Sequence, residues 1–212
     1  MMRKTALMLA LGTLASQGQA QILGDLAPSF NACAQTHADR EQYIATMLAD
    51  GWTVTEDRDR AIARISDTFL PVIGPSGLPW DDMMTARAEA GNQPGVELVG
   101  DRDLYEQDRH IMMIGGYEMD DGQFRVDCWL ALPDATLVDA VFESIDDQTI
   151  LPQINMAAFA GPEHSDGSMT RMMVVQLDPE TEPTPRLAGR NGLYIQTVIP
   201  PQAADGDDDS TD

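Results

Sequence analysis

The chain is predicted to fold as an α+β domain. Its sheet is expected to be mostly antiparallel, with about four or five strands, N-terminal helices packed on one face and one structural disulfide. Three observations predict this. Helical apolar spacing fills the first part of the chain and strand-like runs follow it, the order expected when helices and strands segregate. Residues 109–132 read as a β-hairpin turning at Asp121-Gly122. Cys33 and Cys128, one in each part, are the only cysteines, and an even pair in an oxidising compartment is most simply a disulfide.

Residues 1–20 have the order of a secretory signal: Arg3 and Lys4, a short apolar run, then the small-residue end Gly18-Gln19-Ala20. The apolar run is shorter than the roughly 20 residues needed to cross a bilayer, so no stable membrane insertion of the mature chain is expected. Residues 21–199 are read as a single domain. A first helix, capped by Ser29 or Asn31, is expected to run to Asp50 and stop at Gly51, with Phe30, Cys33, Ala34, Ile44, Met47 and Leu48 inward. Thr55 is expected to cap a second helix over 56–70, ended by Pro71, with Ile62, Ile65 and Phe69 inward. Residues 74–79 form a Gly/Pro loop closed by Trp80, read as a lid on its own core. A third helix is expected over 81–90, a short strand over 96–99 and a polar link over 101–108.

A two-residue turn at Asp121-Gly122 pairs Tyr117 with Val126, Gly115 with Cys128 and Met113 with Leu130, which makes one apolar face. Gly115 would then leave room opposite Cys128 for the helix carrying Cys33. The other face pairs Glu118 with Arg125, a contact worth about 0.2–1 kcal/mol, and still carries Met112, Ile114 and Trp129. These three are therefore the expected docking surface for another envelope protein. Pro133-Asp134 opens a fourth helix. Pro152 leaves 150–159 ambiguous between helix and extended chain, and 169–177 and 193–199 read as strands, the latter after an Asn191-Gly192 turn. Both are apolar on both parities, so the sheet is either covered on two sides or uses one side as an interface. The acidic tail 200–212 is expected to be disordered.

Charge narrows the function. Loss of the leader takes the formal charge from −22 to −24, and every positive side chain left is arginine. Such a surface argues against nucleic acid and anionic membranes, which require basic patches. The chain contains no H-E-x-x-H, G-x-S-x-G, Walker A or G-x-G-x-x-G pattern. The densest polar cluster is His164-Ser165-Asp166-Gly167-Ser168, where His164 and Asp166 are the candidates for a hydrolase-type base and its orienter. Ten methionines outside the leader offer soft Cu(I) ligands, but adjacent strand residues point to opposite faces, so Met112-Met113 and Met172-Met173 cannot each chelate as a pair. No metal site and no cofactor is assigned, and no EF-hand loop is present. The expectation is a periplasmic or secreted binding or accessory module without enzymatic activity, with the hydrolase and Cu(I)-binding readings as alternatives.

Overall fold

A computed structural model describes residues 33, 35–37, 39–73, 82, 85, 89, 93–144, 149–151, 154–177 and 191–201. The expected leader, the expected Trp80 lid and the residues beyond Pro201 lie outside the described residues, as does most of the expected third helix. The described chain contains helices α1 (Arg40–Ala49), α2 (Arg58–Ile73), α3 (Gln93–Val99) and α4 (Thr136–Ser144). Its strands are β1 (Thr53–Val54), β2 (Leu104–Gln107), β3 (His110–Glu118), β4 (Phe124–Leu132), β5 (Thr149–Leu151), β6 (Ile154–Glu163), β7 (Met169–Leu177) and β8 (Asn191–Ile199).

These form one eight-stranded, wholly antiparallel sheet in the order β1-β2-β3-β4-β8-β7-β6-β5. The expectation of four or five strands with helices on one face is therefore wrong. The strands that escaped prediction have weak apolar patterns: β1 is exposed at both residues, β2 reads Leu-Tyr-Glu-Gln, and Pro152 masks the β5–β6 pair. Helices also cover both faces. Tyr43 and Met47 of α1 join Leu137, Val138 and Val141 of α4 on the face that holds Cys128. Ala61, Ile62, Ile65 and Phe69 of α2 join Val99 of α3 on the other.

Local chemistry sets the helix ends. Asp39 accepts the Gln42 amide of α1 at 2.9 Å. At the other end Gly51, at φ +94°, donates to Leu48 and Trp52 donates to Met47, the two bonds of a Schellman cap. Asp57, rather than Thr55, caps α2 by accepting the Arg60 amide at 3.1 Å. That helix continues two residues past Pro71, which removes one rung of its ladder without ending it. The expected strand over 96–99 is the end of α3, whose last carbonyls are held by Arg102, while Arg58 bonds the Gly100 carbonyl just beyond at 2.7 Å.

The hairpin is one residue out of its expected register. Met119 donates to Gln123, Gly122 donates to Met119, and Gly122 sits at φ +77°, so the loop is Asp120-Asp121-Gly122. This is the three-residue hairpin in which a left-handed glycine follows a type I turn. Glu118 therefore faces Phe124, Tyr117 faces Arg125, and Cys128 faces Ile114 rather than Gly115. Residues 111–114 are apolar on both parities and both sheet faces are buried there, so the slip costs little hydrophobic burial and the turn decides the register.

The disulfide Cys33–Cys128 is present, with a Cα–Cα distance of 6.2 Å and both residues 1% exposed. Gly115 plays no part in admitting it, because Gly115 lies on the opposite face beneath Arg102. Gly192 is likewise no turn residue. It sits within β8, and a Cβ there would fall 2.4 Å from Thr68 Cγ2 and 2.8 Å from Phe69 Cζ, so the missing side chain is what seats α2 on the sheet.

Candidate functional site

The expected catalytic cluster is a hairpin turn joining β6 to β7. Gly167, at φ +81°, donates to the His164 carbonyl at 3.2 Å, and Asp166 Oδ1 accepts the Ser168 amide at 2.9 Å. That amide holds the Asp166 carboxyl below its ordinary range. His164 Nε2 instead lies 2.8 Å from Thr170 Oγ1, which in turn lies 3.1 Å from Thr197 Oγ1. Among the described residues no hydrogen bond joins His164 to Asp166, and the buried Ser168 hydroxyl has no partner. The pairing of nucleophile with base and of base with orienter that such chemistry uses is not formed. The loop expected to complete the cleft, 74–82, lies outside the described residues apart from Asp82.

The turn does meet an element the sequence did not connect with it. Thr197 and Thr170 face α1, whose Tyr43 is fully buried. The Tyr43 hydroxyl points toward Thr197 and the His37 backbone but makes no hydrogen bond of ordinary geometry, and burial pushes its pKa up to about 12. The His37 ring stands edge-on to Tyr43 with centroids 4.6 Å apart, and burial lowers its pKa despite the nearby Asp39. This cluster is a polar plug in a covered face.

The expected docking surface divides in two. Met112 and Ile114 are fully buried on the disulfide face; Met112 Sδ lies 3.5 Å from Cys33 Sγ. Trp129 is half-buried on the other face, edge-on to Phe69 at 5.0 Å and tilted against Tyr194 at 4.4 Å. The single apolar outer face expected from the sequence came from the wrong hairpin register.

Among the described residues, no helix covers the far end of the Trp129 face, where Arg102 lies over Gly115. Counting along the sheet, α2 seats over Ala131–Gly192–Val175 and reaches Trp129–Tyr194–Met173 through Phe69. The next rung is Gly115–Asp127–Gln196–Arg171, and the one beyond it is Tyr117–Arg125–Val198–Met169. Here Tyr117 is 45% and Met169 56% exposed, and Arg171 is exposed as well. The same two rungs carry a connected set of polar groups. Arg125 Nε donates to Asp127 Oδ1 at 3.0 Å, and Tyr194 donates its hydroxyl to the same oxygen at 2.6 Å. Gln196, oriented with its amide oxygen inward, accepts from Arg125 Nη2 at 2.6 Å. Burial and the bond to Asp127 push Tyr194 up to about 12. For Arg125 burial opposes the charge, but the Asp127 carboxylate outweighs it, so the guanidinium is held charged. The ring of Tyr117 lies 5.4 Å from that guanidinium carbon.

This network was within reach of the sequence. Arg125 and Asp127 are two apart on one strand, hence on one face, and interrupt an otherwise apolar run. Their partners on β8 lie some seventy residues away, and only the sheet order brings them in.

A second concavity, a groove of about 330 Å³, lies between β1, the β2–β3 turn and the start of α2. Two of its lining charges pair with each other, Arg60 Nη2 lying 2.5 Å from Glu106 Oε2. No helix among the described residues is long and apolar enough to cross a membrane. Compared with family models, curated proteins and solved structures, the chain matches none.

Proposed function

We propose that the protein is an exported, non-enzymatic binding module of the cell envelope, periplasmic or secreted, and that it binds through the open rungs of Asp127 and Arg125. The observation that carries this reading is the Arg125–Asp127–Tyr194–Gln196 network, with Asp127 buried and the other three partly buried, on a part of the sheet that no described helix covers. Holding an ion pair partly out of water is costly, and a local departure from an apolar or fully solvated face is where function is most often found. Tyrosine, tryptophan, methionine and arginine around it are the residue types that dominate recognition surfaces. The leader-like residues 1–20 and the disulfide support export.

Two measurements test the reading. The exported chain should have the mass of a protein beginning at Gln21. Purified protein should co-sediment with isolated envelope fractions, and Tyr117→Ser with Arg171→Ser should abolish this while the melting temperature stays within a degree or two, since both residues are exposed. Leu48→Ser with Val54→Ser, also exposed but elsewhere, should leave it intact. Equal sedimentation of the two double variants would remove the open rungs from the binding surface.

A further inference from the structure

We infer that the chain's own acidic C-terminal segment, residues 202–212, docks on this face. Its docking follows from charge and reach alone; its role as a competitor of the partner rests on the binding reading above.

The face is locally basic in an acidic chain. Arg102 lies over one end of the Gly115–Asp127–Gln196–Arg171 rung, its Nε 3.1 Å from where a Gly115 Cβ would be, and Arg171 stands at the other end. Arg125 is on the next rung. Its charge is already answered by Asp127, which is buried and also holds the Tyr194 hydroxyl. Arg102 donates to the Leu98 and Val99 carbonyls, which carry no net charge. Arg171 is exposed and forms no ion pair among the described residues. Two guanidinium charges on one rung are thus left without a bonded carboxylate, although the whole chain carries −22.

Residues 202–212 can supply the counter-charge. They contain Asp205, Asp207, Asp208, Asp209 and Asp212 and no basic residue. β8 delivers them to the correct end of the sheet, because Pro201 lies 3.8 Å from the Cβ position of Gly122, in the loop that joins β3 to β4. From there the rung of Gln196 is five residues back along the chain, about 17 Å at the rise of a strand. Asp205 to Asp209 follow Pro201 by four to eight residues, over which an extended chain reaches about 13–29 Å. Asp120 and Asp121, exposed on the same loop, repel the segment at its exit, and the arginines attract it further in. A free polyanion would have to approach against the charge of the whole chain. The tethered segment makes no such approach, and its effective concentration at the face is on the order of millimolar. The contact leaves the Arg125–Asp127–Tyr194–Gln196 bonds as they are. A partner that uses this face must first displace the segment.

The experiment compares the full mature chain with a variant carrying Asp205→Asn, Asp207→Asn, Asp208→Asn, Asp209→Asn and Asp212→Asn, by NMR of the arginine Nε–H groups. The Arg102 and Arg171 signals should differ between the two proteins in low salt. They should converge in about 0.5 M NaCl, where charges are screened within about 4 Å. Arg109, exposed in the β2–β3 turn at the other end of the sheet, should not differ. Envelope co-sedimentation should rise about twofold or more in the variant, with the melting temperature unchanged. Identical spectra, or an equal shift at Arg109, overturn the docking. So does a difference that grows with protein concentration, which would put the segment on a second copy. A difference confined to Arg102 and Arg171 with co-sedimentation unchanged overturns the competition alone. An absence of co-sedimentation in both proteins removes the binding reading, and the spectra still decide the docking.

Discussion

At the same height on the sheet, the two faces are treated in opposite ways, and two tyrosines show it best. On the disulfide face the Gly116–Val126–Thr197–Thr170 rung is roofed by α1: a Cβ on Gly116 would lie 3.2 Å from Arg40 Cβ, and Tyr43 is fully buried nearby. On the other face the neighbouring rung has Asp127, Gln196 and Arg171 and no helix above it among the described residues. Tyr43 and Tyr194 are both pushed to about 12, mainly by burial. Yet the hydroxyl of Tyr43 makes no hydrogen bond of ordinary geometry among the described residues, whereas that of Tyr194 joins three other polar side chains. Burial is the largest cause of both shifts, yet the two phenols differ in structural value. The covered face is specified by packing, and the open one by hydrogen bonds.

The covered side can be broken most severely at its crosslink. Replacing both Cys33 and Cys128 by Ser removes a link spanning 95 residues, and the chain-entropy model gives a loss of about 4–5 kcal/mol. Urea unfolding should show this as a lower midpoint, with the folded protein still binding through its open face. Next comes the seat of α2, which defines where the open rungs begin. Gly192→Ala drives a methyl into Thr68 and Phe69 and should cost about 1–3 kcal/mol through displacement of the helix; a thermal melt unchanged from wild type would show that α2 is not seated there.

The comparison of the two tyrosines is the sharpest test. Tyr194→Phe leaves Asp127 without its shortest hydrogen bond and should destabilise by about 1–3 kcal/mol at neutral pH. Tyr43→Phe removes a buried hydroxyl that has no partner, so it should be neutral or stabilising. At alkaline pH the sign follows from linkage. Both phenols have folded values above the ordinary 10, so the unfolded chain loses those protons first and stability falls as pH rises from about 10 through about 12. Each Phe variant should flatten that alkaline loss. Equal response of the two variants at pH 7 would erase the contrast between the faces.

Much of the framework was legible from residue pattern. β3, β4, β7 and β8, the inward stripe of α2 and the cysteine pair all follow from periodicity and from turn and compartment chemistry. The register of the hairpin was not, because Ile111, Met112, Met113 and Ile114 satisfy either face and an Asp-Gly dipeptide serves both a two-residue and a three-residue loop. That single ambiguity placed Met112 and Ile114 beside Trp129, and with them the nominated surface. The open-face network was hidden for another reason: Tyr194 and Gln196 acquire meaning only once β8 is known to lie beside β4. His164 and Asp166 were conspicuous because they crowd together in sequence, which is what a turn requires as well as what a site does.

The place of β8 has a consequence for when the protein can assemble. Strands β1 to β4 form one set of neighbours and β5 to β7 another, and the two sets share no ladder except through β8, the last strand in chain order among the described residues. Until that segment arrives, β4 and β7 both present unpaired edges, and neither half of the apolar interior is closed. Such late, long-range pairing delays folding until nearly the whole polypeptide is present. On the export reading proposed above, that delay is useful: the molecule would stay loose while it is passed across a membrane and tighten only on the far side.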